Sequence, residues 1–340
     1  MSKSCDVAIV GVTGLIGDVL VNVLDDHDVG IAQLRLVDEE SNAGGRLMYK
    51  GQSVKVEPLE RFDFSAVKAV VFFCAPAVAA IWAEKALAAG CSVIDASGHY
   101  RAQADVPLLA SGVNPAVLEG ISWPAIIATP GSQAVQLAAL LSAIAAEAGV
   151  QSVTVATYQS MSTLNLDAVE GLALQTGRLL NGQPAEAGAL PKQAAFNLLP
   201  RTGDIDEQGS TAQEREVEED LRRILQQADM PVSATAIVVP VFYGTAAVVQ
   251  VQTQDVMPLK RLVSLIRKLP SVKLLDKPAA DGYPTPVTEA TGSDLVWIGR
   301  LRHDSMDMHR LNMWIVSDNL RKGVVLNALE GLRLLIKDYL

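Results

Sequence analysis

Through the first third of the chain, short apolar runs alternate with stretches of helical periodicity. DVAIV from Asp6, QLRLV from Gln33, VKAVVFFCA from Val67, CSVID from Cys91 and AIIAT from Ala125 read as strands. Residues 15–24, 77–89 and 133–148 read as helices between or after them. Short β-branched runs separated by helices fit a parallel sheet covered on both faces, so a doubly wound α/β domain is predicted.

The second half changes character. SVTVATYQS from Ser152, SATAIVVPVFYG from Ser233, TAAVVQVQT from Thr245, DLVWIGRLRHD from Asp294 and HRLNMWIVSDN from His309 are longer, and two pairs of them follow one another with little between. That pattern predicts an antiparallel or mixed sheet with helices on one face, an α+β domain. Residues 182–214, rich in Gly, Pro, Ala, Gln and Asp, read as an irregular excursion. An amphipathic helix over 321–340 is long enough to return to the first domain.

Composition narrows the chemistry. With 28 basic against 38 acidic residues in 340, the net charge near −10 lacks the positive surface that binding a phosphate backbone requires, so nucleic acid is not an expected partner. Cys5, Cys74 and Cys91 have no metal-site spacing, and their odd number predicts reduced thiols, no disulfide framework and no metal site. No basic leader precedes the first strand, and no apolar stretch approaches the roughly 20 residues that span a bilayer. The expected setting is the cytoplasm, with no membrane partner.

A cofactor motif follows the first strand at once. Gly11-Val12-Thr13-Gly14-Leu15-Ile16-Gly17 opens a helix, where glycines permit a tight turn and backbone N–H groups face an anion. Gly11, Thr13, Gly14, Leu15 and Ile16 are therefore candidate contacts for a dinucleotide, although the spacing is GxxGxxG rather than GxGxxG. A turn whose glycines serve packing alone, with no cofactor bound, is the competing reading. The second strand ends Val37-Asp38-Glu39-Glu40, and Asp38 is placed to accept from a ribose 2′-hydroxyl. Three carboxylates in a row favour NAD over NADP, with Arg35 or Arg46 as cations that could still reach the pocket.

At Ile127-Ala128-Thr129-Pro130-Gly131-Ser132-Gln133-Ala134 an apolar run breaks and enters a long Ala/Leu helix, with Ser132 at its start. A helix N-terminus suits an activated thiolate or an anion; a serine there also suits a helix cap. GVTGLIG, VIDASGHYR, IATPGSQAVQ, YQSMS, VVPVFYGTA and the block GRLRHD with LNMWIVSDNLRKGVVLNA together resemble the aspartate-semialdehyde dehydrogenase family over nearly the whole chain. The resemblance implies a homodimer. It also implies a dinucleotide-binding domain over 1–131, completed by the helix 321–340, and a substrate and dimerisation domain over 132–320. Members reductively dephosphorylate aspartyl phosphate with a cysteine nucleophile, a histidine that moves the proton, and basic groups for phosphate and carboxylate.

Carried over by position, the resemblance puts Ser132 at the cysteine, Thr245 at the histidine and Val238 at the carboxylate-binding arginine. Gln159 falls near the acyl group, Asn319 near the nicotinamide, and Arg101 at a phosphate-attracting position. An E-x-K element matches Glu214-Arg215-Glu216, so Glu214 would meet the substrate amine while Glu216 would repel phosphate. In lacking both thiol and imidazole the chain is similar to Usg-type paralogues of the family. The expectation is an NAD(P)-binding dimer without the parent reaction. The alternative is a semialdehyde dehydrogenase, or an acyl hydrolase using Ser132 with His99 and an orienting Asp95.

Overall fold

The computed structural model describes residues 3–188, 190–201 and 203–340. They form two compact units, Met1–Gly131 with Val324–Leu340, and Ser132–Gly323.

The first unit is built on β1 (Cys5–Val10), β2 (Ile31–Asp38), β3 (Arg46–Tyr49), β4 (Gln52–Pro58), β5 (Ala69–Phe72), β6 (Ser92–Asp95) and β7 (Ile126–Ala128). Their order is β3-β4-β2-β1-β5-β6-β7, parallel throughout except that β3 runs antiparallel to β4. β1 pairs with β2 on one side and β5 on the other, which makes it the switch point beyond whose carboxyl end ligands bind in open α/β sheets. Val7–Val10 and Ala69–Phe72 are wholly buried, as continuous apolar runs in the middle of a parallel sheet must be. Helices α1 (Leu15–Asp26) and α2 (Pro76–Ala88) follow β1 and β5.

The final helix begins later than its sequence suggests. Asp318 accepts from the N–H groups of Leu320 and Arg321, and Gly323 N–H bonds back five residues to Asp318. Residues 321–326 thus form a widened helical turn, and the α-helix proper spans Asn327–Asp338. Leu329, Leu332, Leu335 and Ile336 of this helix are buried in the core of the first unit. At about 1.5–3 kcal/mol for each buried side chain, they contribute on the order of 6–12 kcal/mol to holding it there.

The second unit contains α3 (Ser132–Ala148), β8 (Val150–Gln159), α4 (Leu166–Leu180), α5 (Ala212–Ile224), β9 (Val232–Val238), β10 (Thr245–Thr253), α6 (Leu259–Ile266), β11 (Val272–Leu274), β12 (Val296–His303) and β13 (Arg310–Ser317). The helix Asn327–Asp338 is then α7. The mixed sheet has the order β11-β12-β13-β10-β8-β9, with β10 antiparallel to both neighbours. α3 packs against α5 and α6, and together they cover one face. The predicted strand through Gly244 stops at Val238, because Pro240 lacks the N–H that a sheet ladder needs. Among the described residues no helix is long and apolar enough to cross a membrane.

Candidate functional site

The glycine turn has the form an anion site requires. Gly11 has φ +82°, and a Cβ there would sit 2.5 Å from the backbone nitrogen of Cys74, so only glycine fits between β1 and the end of β5. Gly14, also at positive φ, caps α1 without a side-chain bond, and a Cβ on it would meet nothing within 4 Å. The first turn of α1, with Leu15 and Ile16 half-buried, therefore presents backbone donors beside open space. Those residues fit a pyrophosphate.

Asp38 is buried against the glycine turn. It is 4% exposed; Oδ2 accepts from Thr13 N–H at 3.0 Å and Thr13 Oγ1 at 2.9 Å, and Oδ1 from Glu39 N–H at 2.8 Å and Asn42 Nδ2 at 3.2 Å. A carboxylate has about four acceptor positions, and Thr13, Glu39 and Asn42 fill them, so Asp38 ties the turn to β2. The nearby cations are also engaged. Arg35 forks onto Glu57 at 2.6 and 2.7 Å, and Arg46 bonds Ser53.

On the loop after β6, the Arg101 guanidinium folds over Gly98, coming within 3.0 Å of where a Cβ would stand. The arrangement needed for a serine hydrolase does not form on this loop. Asp95 accepts from Ser97 and from Tyr100 N–H at 2.9 Å, while the His99 ring stands edge-on to Tyr100 at 4.7 Å. The orienting carboxylate expected for His99 is committed elsewhere.

In the second unit, Ser132 is the first residue of α3 and half-buried, with Gly323 packed so closely that a Cβ there would lie 2.5 Å from the Ser132 Cβ. Among the described residues its hydroxyl makes no hydrogen bond, so the capping bond expected of it is not formed. One turn along the same face, Gln136 reaches the sheet. Its Oε1 accepts from Thr245 Oγ1 at 3.3 Å and Ser317 Oγ at 3.0 Å, two residues paired across β10 and β13, and its amide donates to Gln133. Thr245, 1% exposed, is thus a donor locked into a buried network. Gln159, at the end of β8, donates to Thr157 Oγ1 at 3.2 Å. Asn319 accepts from Gly244 N–H at 3.1 Å and donates to Ser162 Oγ at 3.1 Å, joining the YQSMS and VPVFYG loops.

Glu214 bonds to its own helix start and to the neighbouring strand. Thr211 N–H and Oγ1 donate to its Oε2 at 2.7 and 3.0 Å, Glu214 N–H returns a bond to Thr211, and Oε1 accepts from Ala236 N–H at 2.9 Å. This capping box starts α5 and pins it to β9. The spacing T-x-x-E was its readable signal. Gln133, Gln136 and Ser317 carried none beyond the helical offset of Gln136 from Ser132.

Burial pushes Cys74 up to about 12 and Cys91 to about 11, and raises Cys5 as well, so all three stay protonated near neutrality. Among the described residues no His, Cys, Asp and Glu cluster could hold a metal ion.

Residues 6–121 match the family model described as semialdehyde dehydrogenase, NAD binding domain, and residues 141–322 the model described as semialdehyde dehydrogenase, dimerisation domain. The chain is 36% identical to a USG-1 protein homolog of Azotobacter vinelandii, over 99% of both chains. It is 34% identical to an aspartate-semialdehyde dehydrogenase of Shewanella violacea over the full length of each. The crystal structure of aspartate semialdehyde dehydrogenase II complexed with ASA from Vibrio cholerae superposes with a TM-score of 0.95 at 33% identity, covering all of both chains.

Proposed function

Because the chain belongs to the aspartate-semialdehyde dehydrogenase family, we propose that it is a nicotinamide-nucleotide-binding homodimer that no longer runs the family's thiol-dependent reaction. One observation carries this reading. The side chain at the histidine position, Thr245, gives its only proton to Gln136, and the side chain at the cysteine position, Ser132, has no base bonded to it. An alcohol near its ordinary acidity is a poor nucleophile without such a base, and a threonine hydroxyl does not shuttle protons at neutral pH.

A bound nicotinamide nucleotide supplies hydride transfer chemistry; here Gly11, Gly14 and the N–H groups of Leu15 and Ile16 would hold its pyrophosphate. NAD is the preferred form. Glu39 and Glu40 follow β2, carboxylates that disfavour a 2′-phosphate, and Arg61 is already paired with Glu40. Support for the dimer comes from the dimerisation-domain match.

The test is a fluorescence titration with NADH and NADPH, followed by a semialdehyde oxidation assay with phosphate present, and sedimentation to count subunits. Tight NADH binding, weaker NADPH binding, a dimer and no turnover are expected. Turnover at an ordinary enzymatic rate would refute the loss of the reaction.

A further inference from the structure

Three carboxylates follow one another where β2 ends, and each is differently engaged. Asp38 is buried, its oxygens filled by Thr13, the Glu39 N–H and Asn42. Glu40 is tied to the turn that follows β4, where its N–H donates to Glu60 at 3.0 Å and its carboxylate pairs with Arg61. Glu39, between them, is exposed, and among the described residues its carboxylate has no hydrogen bond or ion pair.

The order of the strands separates the two glutamates further. β1 lies between β2 and β5, so a dinucleotide whose pyrophosphate meets the turn after β1 carries its adenosine ribose to the end of β2. β4 borders β2 on the far side, and Glu40 is drawn that way. Glu39 acts on the near side. After the larger effect of burial, its charge joins those of Asp95 and Asp38 in raising the Cys74 thiol, and the Cys74 backbone nitrogen is packed against Gly11. The backbone of Glu39 is also held: its C=O accepts from Asn42 N–H at 2.8 Å and Ala43 N–H at 3.0 Å, while its own N–H donates to Asp38. A free carboxylate on a fixed backbone keeps its acceptor positions for a ligand.

We propose that Glu39 is the residue that selects NAD, its carboxylate accepting from the hydroxyls of the adenosine ribose and repelling the 2′-phosphate of NADP. Asp38 is a positioning residue behind it, since one carboxylate holds both Thr13 of the glycine turn and the Glu39 N–H. The inference rests on the reading of the chain as a nucleotide-binding protein, and it gives the choice of cofactor to one side chain.

The experiment is a fluorescence titration of the full-length protein and its Glu39→Gln variant with NADH and NADPH. Glutamine keeps the length of the side chain and removes its charge, so NADH should bind about tenfold more weakly and NADPH several-fold more tightly. Opposite movements mark a specificity residue, because a distorted turn weakens both nucleotides. Glu39→Lys should carry the ratio further, to a preference for NADPH. Adenosine 5′-monophosphate and adenosine 2′,5′-bisphosphate, competed against NADH, should show the same reversal without a nicotinamide. If the unmodified protein binds NADH, an unchanged NADH to NADPH ratio in Glu39→Gln, or equal weakening of both, overturns this proposal alone. An unmodified protein that binds neither nucleotide overturns the nucleotide-binding reading itself.

Discussion

Replacing Gln136 with Met tests whether the network beneath Ser132 is a unit. The side chain is 1% exposed, and methionine fills similar space without polar atoms. The hydroxyls of Thr245 and Ser317 lose their shared acceptor, at about 1–3 kcal/mol each, so Gln136→Met should destabilise the second unit by roughly 2–6 kcal/mol. Thr245→Val alone removes a single bond and leaves Gln136 still served by Ser317, at a cost of about 1 kcal/mol. Combining the two removes one of the stranded hydroxyls. The double variant should therefore be more stable than Gln136→Met by about 1–3 kcal/mol, the opposite of additivity. Native-state hydrogen exchange at the amides of Thr245–Thr253 reads the second unit separately from the first. A loss below about 1 kcal/mol for Gln136→Met, or a double variant weaker than either single one, would refute the reasoning.

Gly11→Ala should reduce NADH affinity more than tenfold in a fluorescence titration, because its Cβ would fall 2.5 Å from Cys74 N and push the turn off β5. Cys74, raised to about 12 by burial, carries about a thousandfold less thiolate at pH 8 than an ordinary thiol, and should resist iodoacetamide in the folded protein. The sign of the linked effect is the same: the folded state holds this proton more tightly, so the contribution is complete below about pH 9 and is lost as pH rises from there, visible in alkaline denaturation. Ser132→Cys should place a thiol at a helix start and label faster than Cys74, yet oxidise the semialdehyde only at a trace rate. Adding Thr245→His should then raise semialdehyde oxidation by about 100-fold or more over the single variant in a steady-state assay.

The parallel core was legible because consecutive apolar residues such as Val7–Val10 have no exposed alternative. The β3–β4 hairpin was not: it is a half-exposed edge, and its signal is a single two-residue turn at Lys50-Gly51, both at positive φ. At the site, the positions of Ser132 and Thr245 could be read from their neighbours along the chain. What those residues touch could not, since a helical glutamine such as Gln136 looks like a surface residue until the sheet beneath it is known. Asp38 shows the same gap. A carboxylate at the end of a strand is equally ready to serve a ligand or its own backbone, and only the three-dimensional arrangement of Thr13, Glu39 and Asn42 decides between them.

Ser132 and Gly323 are the first and last residues of the second unit, and they touch. The polypeptide enters and leaves that unit at one point, as an inserted domain does, so a short splice from Gly131 to Val324 asks nothing of the strands on either side. The 192-residue segment between, counted from 132 to 323 inclusive, has ends already side by side, the condition under which a domain can be moved to a new host or circularised.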